Sequence, residues 1–205
     1  MNRREILRYA ALATGAAVSA PLASAFLSGC KSEAAAAVVP YVPQFFTPEQ
    51  YAFIVKFADT IIPRTDTPGA SDVGVPEMID RMVNDVYNLE NQEEIKTGLT
   101  MLMAKMNADN QALGQFAEGD DNQRFDYLKG QDEYYKNPET DWEAQTEDAQ
   151  LLRDAYFALK QSVVAHYFGS EAVATTQLAY LPVPGEYVPC GDLQELTGGV
   201  AWAIK

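Results

Sequence analysis

The sequence predicts a mainly α fold: an irregular helical bundle with long Pro- and Gly-rich loops and an extended C-terminal tail. Apolar residues recur at three- and four-residue spacing in several segments between residues 47 and 168, which is typical of amphipathic helices. No segment alternates apolar and polar residues well enough to indicate a sheet. The tail is predicted from residues 181–191, where three Pro and two Gly interrupt regular structure.

The first helix has the clearest boundaries in the sequence. Thr47 suits the N-cap, Pro48 the first helical position, and Gln50 the third position of a capping box. Pro63 ends the helix, because proline cannot donate the backbone hydrogen bond that a further turn needs. Its apolar face comprises Phe53, Ile54, Phe57, Ile61 and Ile62.

Four further helices follow from the same periodicity. They are predicted to start at Pro76 and near Asn91, and to span residues 122–129 and 146–168. Glu94, three residues after Asn91, would complete a second capping box, and Gly169 would end the longest helix. Residues 130–145 are polar and acidic, and we expect a long loop there.

Residues 63–74 are predicted to form an irregular loop, because Pro and Gly interrupt every turn of a helix there. Pro63 and Pro68 fix φ, and Gly69 would allow a positive φ. Such a loop either caps the core or forms a preformed docking surface together with the tail. The candidate interface residues are Pro63, Thr65, Thr67, Pro68 and Gly69 in the loop, and Tyr180, Pro182, Pro184, Gly185 and Tyr187 in the tail.

The N-terminus resembles two export signals at once. Arg3 and Arg4 begin a pattern similar to a twin-arginine signal, which directs folded proteins out of the cytoplasm. The string Leu-Ser-Gly before Cys30 resembles a bacterial lipoprotein cleavage site, where the cysteine is acylated. We therefore expect a signal peptide at residues 1–29, a flexible lipid tether at 30–46 and one helical domain at 47–205. The protein would be lipid-anchored on the periplasmic side of a bacterial membrane.

Charge narrows the partners that the chain could bind. The formal net charge is −14, and residues 1–29 hold three Arg and one Glu, so their removal would leave −16. Nucleic acid is an improbable partner for so acidic a surface. An anionic bilayer would repel it as well, so the membrane attachment would depend on the lipid at Cys30 rather than on charge.

Few residues point to chemistry in this chain. The single histidine, His166, lies late in an amphipathic helix, where a structural role or a helix C-terminal cation is the commoner interpretation. The sequence has no phosphate-binding glycine loop, no calcium loop and no nucleophile motif, so we expect no cofactor, metal or catalytic residue here. If Cys30 is lipidated, Cys190 is left either as a buried free thiol or as the partner in an interchain disulfide.

Three strings carry a family resemblance. They are Ala-Asp-Thr-Ile-Ile-Pro-Arg-Thr-Asp-Thr-Pro-Gly-Ala at 58–70 with its continuation to Asp80, Tyr-Phe-Gly-Ser-Glu at 167–171, and Leu-Ala-Tyr-Leu-Pro-Val-Pro-Gly-Glu-Tyr at 178–187 leading to Cys190. In this order they resemble the small subunit, subunit 3, of membrane-bound gluconate 2-dehydrogenase and related flavin-dependent dehydrogenases. Pro189 stands where the family usually has glycine before the cysteine.

The resemblance implies an accessory role. The small subunit would escort a FAD-dependent GMC-type catalytic subunit through twin-arginine export, then anchor and stabilise it, with electrons passing to a cytochrome c subunit or another acceptor. FAD would lie in the partner, this chain would not be catalytic by itself, and Cys190 would be placed for a disulfide to the partner. The alternatives are a stand-alone lipid-anchored lipoprotein that binds a ligand in its helical core, and an enzyme that uses carboxylates or His166.

Overall fold

The computed structural model describes residues 41–110, 115–180 and 189–203. Within these ranges the chain forms seven α-helices, two short 3₁₀ turns and no strand, which confirms the predicted mainly helical fold. The α-helices are α1 (Pro48–Ile61), α2 (Val75–Asp85), α3 (Leu89–Asp109), α4 (Asp121–Tyr135), α5 (Glu147–Phe168), α6 (Glu171–Thr176) and α7 (Leu193–Thr197). The 3₁₀ turns are Ser71–Val73 and Phe116–Glu118.

Of the five predicted helix starts, those of α1 and α5 are confirmed, those of α2 and α4 lie one residue before the predicted positions, and that of α3 lies two residues before Asn91. The capping box of α1 forms as expected, with Thr47 Oγ1 accepting from the Gln50 N–H at 3.2 Å and Gln50 Oε1 accepting from the Thr47 N–H at 3.1 Å. The Thr146 side chain caps α5 in the same way. The cap of α3 is Asn88, whose side chain accepts from the Asn91 N–H at 2.9 Å, so this helix begins before the predicted Asn91.

The predicted loop at residues 130–145 is wrong for its first six residues, because α4 continues to Tyr135. Tyr135 is only 3% exposed, and its ring lies 5.2 Å from that of Tyr156 and 5.7 Å from that of Trp142. Burial of this aromatic residue stabilises a stretch whose polar composition and Gly130 suggest a loop. The short helices α6 and α7 were not predicted either; Ser170 and Asp192 cap them.

The core lies around α1 and α5. Phe57 of α1 and Tyr156 of α5 are fully buried, and their rings meet edge to face with centroids 5.9 Å apart. Helix α5 also packs along α3, and Gly98 of α3 permits the close approach, because a Cβ there would lie 2.9 Å from Ala155 Cβ. The packed α2, α3 and α5 enclose the groove that is described below.

Candidate docking surface

Residues 62–74 form a loop between α1 and α2 that is held in one shape by internal hydrogen bonds. The Ala70 N–H donates to Ile62 O at 2.9 Å, which closes the loop at its base. Arg64 and Asp72 form an ion pair across it, with Arg64 Nε donating to Asp72 Oδ2 at 2.6 Å. The Gly69 N–H donates to the same carboxylate oxygen at 2.8 Å. Arg64 and then the Gly69 N–H hold the pKa of Asp72 below its usual value, so the ion pair is present at neutral pH.

The loop is tied to the far end of the chain by Tyr167 of α5. This side chain is 6% exposed, and its hydroxyl donates to Pro68 O at 2.8 Å across 99 residues of sequence. Pro68 therefore occupies a fixed position on the end of α5. Tyr167, the first residue of the second family-resemblance string, thus holds the loop in place.

We expect Tyr167→Phe to lower the free energy of unfolding by about 1 kcal/mol, because it removes one partly buried hydrogen bond and keeps the ring. Urea unfolding followed by circular dichroism measures the change. Tyr134→Phe is the matched control, since Tyr134 is 56% exposed, and it should stay within about 0.5 kcal/mol of the wild type. Equal stability of the two variants would show that the Tyr167–Pro68 bond contributes nothing.

The predicted loop residues have different environments. Pro63 and Thr65 are exposed, and Thr67 and Pro68 are half-buried. Gly69 is buried and does not adopt the positive φ that the sequence suggested; that backbone conformation belongs to Gly74. Glycine is needed at 69 for another reason, since a Cβ would lie 2.8 Å from the Arg64 backbone nitrogen. The exposed part of the loop is therefore its first half.

Asp80 of α2 forms a clamp on the segment before α1, and the sequence analysis assigned it no role. Its carboxylate is fully buried and accepts from three consecutive backbone N–H groups, those of Gln44, Phe45 and Phe46, at 2.7–3.1 Å. The Tyr41 hydroxyl donates to it at 2.7 Å. Residues 41–46, at the end of the stretch suggested as a tether, are thus fixed to α2. The rest of that stretch lies outside the described residues.

Burial works to raise the pKa of Asp80, but the donated hydrogen bonds outweigh it and hold the pKa below the usual value. The carboxylate is therefore ionised at neutral pH. Burial, followed by the contact with Asp80, raises the pKa of Tyr41 to about 12, so its hydroxyl keeps the proton that it donates. An aspartate on the apolar face of a helix, beside Pro76, Ile79 and Val83, was the signal in the sequence that could have revealed this clamp.

The described part of the C-terminal segment folds back on itself. The Ala179 N–H donates to Ala201 O at 2.9 Å and the Ala203 N–H to Ala179 O at 3.0 Å, which forms an isolated parallel bridge between Ala179 and Trp202. Several large apolar side chains here are exposed: Tyr180, Leu193, Leu196, Val200 and Trp202. Four candidate interface residues, Pro182, Pro184, Gly185 and Tyr187, lie outside the described residues.

Cys190 lies in this segment with its side chain exposed and its thiol free. Its φ is +54°, a left-handed conformation that is uncommon for a residue with a side chain. Cys190 is therefore exposed rather than buried, and its pairing with a partner chain stays a prediction. Cys30, Arg3 and Arg4 lie outside the described residues.

A groove of about 240 Å³ lies between α2, α3 and α5. Its walls are mainly apolar. Near its C-terminal end, α5 contributes two polar side chains to the lining, Ser162 and His166. Burial lowers the pKa of His166, so the ring is neutral at pH 7, which agrees with a structural role rather than with a helix C-terminal cation. The ligand-binding alternative requires a sizeable apolar pocket with a few polar groups, and the lining of this groove, though not its size, agrees with that requirement.

Within the described ranges, no group of three or more His, Cys, Asp or Glu side chains is arranged to hold a metal ion. The Asp132 carboxylate accepts hydrogen bonds from Lys160, Lys136 and the Tyr156 hydroxyl. Among the helices that the structure describes, none has the length and apolar character of a membrane span.

Comparison with models of known protein families identifies the family of this chain. The family model described as gluconate 2-dehydrogenase subunit 3 matches residues 48–185, which is more than half of the sequence. The chain belongs to the gluconate 2-dehydrogenase subunit 3 family. No curated protein and no solved structure matches it. The resemblance inferred from the three sequence strings is therefore confirmed at the level of the family.

As a member of this family, the chain is an accessory subunit of the gluconate 2-dehydrogenase subunit 3 type. The family name implies that it is one subunit of a multi-subunit dehydrogenase. The matched range includes the loop between α1 and α2, Asp80 and the groove-lining helices α2, α3 and α5, but not residues 41–46, which Asp80 holds. Helix α7 and Cys190 lie beyond it.

Proposed function

We propose that this chain is the non-catalytic small subunit of a periplasmic flavoprotein dehydrogenase complex. It binds a FAD-dependent GMC-type subunit, escorts that subunit through twin-arginine export, and holds it at the membrane through a lipid on Cys30. A cytochrome c subunit is a further candidate member of the complex. The observation that carries the proposal is the family match over residues 48–185.

The geometry supports docking as the task of the chain. The exposed first half of the loop is prefolded, because the Arg64–Asp72 pair and the Tyr167–Pro68 bond already fix it. A surface that is ordered before binding loses less conformational entropy when a partner arrives. The exposed apolar residues of the C-terminal segment, such as Leu193 and Trp202, are of the kind that fill the core of interfaces.

The Asp80 clamp suits an escort as well. It fixes residues 41–46 on α2, so an export signal and a lipid at the N-terminus would be joined to the helical unit at a defined point.

Co-expression of the tagged full chain with the flavoprotein subunit tests this proposal. We expect a stable complex that contains flavin, whereas the chain purified alone should bind no flavin and oxidise no sugar or alcohol. Changing Arg3 and Arg4 together to Lys should leave both subunits in the cytoplasm if the escort role is correct. Isolation of the chain as a lone monomer from native membranes, or periplasmic flavoprotein in cells that lack it, would contradict the proposal.

The same complex tests Cys190. Non-reducing electrophoresis should show one heavy band that separates into two on reduction, and Cys190→Ser should abolish that band. A heavy band that persists in the Cys190→Ser variant would remove the disulfide while leaving the docking proposal intact.

The second candidate function is a lipid-anchored lipoprotein that binds a small apolar ligand, and the groove between α2, α3 and α5 is the observation in its favour. It predicts a bound molecule in the chain purified without partners, which extraction into organic solvent and mass spectrometry would reveal.

A further inference from the structure

The size of the groove limits what it can hold. At about 240 Å³ it is smaller than the roughly 300–1,000 Å³ of sites for drug-sized ligands. A flavin dinucleotide does not fit such a volume, whereas a few apolar side chains do. Its walls are supplied by Ile79, Met82 and Val83 of α2, by Ile95 and Leu99 of α3, and by Leu159 of α5.

Among the described residues that line the groove, the formal charges are negative. They belong to Glu94 and Asp154, both exposed, and none of these described lining residues is Lys or Arg. Asp154 forms an ion pair with Arg153 at 3.7 Å, whose guanidinium also lies 5.2 Å and 5.4 Å from the ring centroids of Trp142 and Phe157. The Asp154 side chain is 72% exposed, so its carboxylate is accessible to a further cation. An apolar group with a positive charge beside it therefore complements the groove.

The apolar surface continues beyond one end of the groove. Tyr87 lines it and is 38% exposed, and on either side of Tyr87 the chain presents Val86 at 63% and Leu89 at 80% exposure. Exposed apolar residues that border a groove mark a binding surface for a macromolecule more than for a small enclosed ligand. A segment of a partner protein could fill the groove and also cover the exposed side chains of Val86 and Leu89.

We propose that the groove between α2, α3 and α5 receives apolar side chains from a segment of the flavin-bearing partner, and that Lys or Arg residues of that segment lie against Glu94 and Asp154. This inference rests on the proposed function. It adds the groove to the loop and the tail as a further surface that contacts the partner. It names the chemistry of the partner segment: apolar anchors with basic neighbours.

Filling the groove tests the apolar part. Ala158 lines the groove and is exposed, so Ala158→Trp should block it with little cost to folding, and Ala165→Trp, exposed on the same helix outside the groove, is the control. Binding of the purified flavoprotein subunit to the full chain in detergent is measured by calorimetry. We expect Ala158→Trp to raise Kd about tenfold or more, and Ala165→Trp to change it less than about twofold.

A charge-reversed variant tests the electrostatic part and leaves the apolar lining side chains unchanged. Glu94→Lys with Asp154→Lys should weaken binding and flatten its dependence on salt, because screened attraction between opposite charges is lost. Glu139→Lys with Glu143→Lys, two exposed residues outside the groove, makes the same change in net charge and serves as the control. Circular dichroism of all four variants establishes that they are folded.

The outcomes separate the two proposals. If the wild-type chain does not bind the flavoprotein, the proposed function fails and the groove proposal fails with it. If the wild type binds and Ala158→Trp and the charge-reversed variant bind as tightly, the groove proposal is overturned while the proposed function stands. Loss of a co-purifying small molecule from Ala158→Trp, with unchanged flavoprotein binding, overturns it in favour of a ligand site.

Discussion

Replacing Asp80 by alanine should lower the free energy of unfolding by about 3 kcal/mol, because it removes the acceptor of three backbone N–H groups and one hydroxyl at a buried position. For a chain of this length that corresponds to a fall in Tm of about 6–12 °C. Differential scanning calorimetry of the full chain in detergent measures it. Asp85→Ala, an exposed aspartate on the same helix, is the control and should change Tm little.

Asp80→Asn separates charge from size. The amide keeps one oxygen acceptor but turns an NH₂ group toward N–H donors, so we expect nearly the full loss seen with alanine. Asparagine at wild-type stability would show that the negative charge is unnecessary.

The pH dependence follows from the lowered pKa of Asp80. A carboxyl whose pKa is lower in the folded state stabilises the fold above its unfolded pKa, near 3.9, and loses that contribution as pH falls through the folded value. The difference in stability between the wild type and Asp80→Ala should therefore be constant from about pH 5 to 8 and shrink below about pH 4. A difference that stays unchanged at pH 3 would contradict an ionised Asp80 in the folded protein.

The parts of the fold that the sequence predicted are those whose causes are local. The start and end of α1 depend on Thr47, Gln50 and Pro63, all within or beside the helix itself, and these signals were sufficient. The extension of α4 to Tyr135 depends on Tyr156, 21 residues away, so a local pattern of polar residues pointed to a loop instead. The burial of Tyr135 in the folded core, rather than the local sequence pattern, makes this segment helical.

The candidate docking surface likewise has one part that local residues predicted and another part that depends on residues distant in sequence. Pro63, Pro68 and Gly69 were sufficient to predict an irregular loop, but its shape depends on Tyr167, which reaches Pro68 O from 99 residues further along the chain. The clamp needed knowledge that α2 lies beside residues 41–46. The groove arises only when three helices pack together, and no single segment contains a signal for it.

The second large effect is expected at Tyr156, the fully buried aromatic residue of α5. Its ring lies 5.9 Å from that of Phe57 and 5.2 Å from that of Tyr135, and its hydroxyl donates to Asp132 Oδ1 at 2.6 Å. Tyr156→Ala should lower the free energy of unfolding by about 3–5 kcal/mol, since it leaves a cavity among α1, α4 and α5 and removes that bond. Urea unfolding measures the loss.

Tyr156→Phe divides this loss between ring and hydroxyl. It keeps the packing and removes the bond to Asp132, which retains Lys160 and Lys136, so we expect a loss of about 1–2 kcal/mol. Burial and then Asp132 raise the pKa of Tyr156, which means that the hydroxyl stabilises the fold below its unfolded pKa, near 10, and less above it. The difference between the wild type and Tyr156→Phe should therefore narrow above about pH 10. If alanine and phenylalanine cost the same, the hydroxyl rather than the ring would join α4 to α5, and the aromatic cluster would not be the centre of the core.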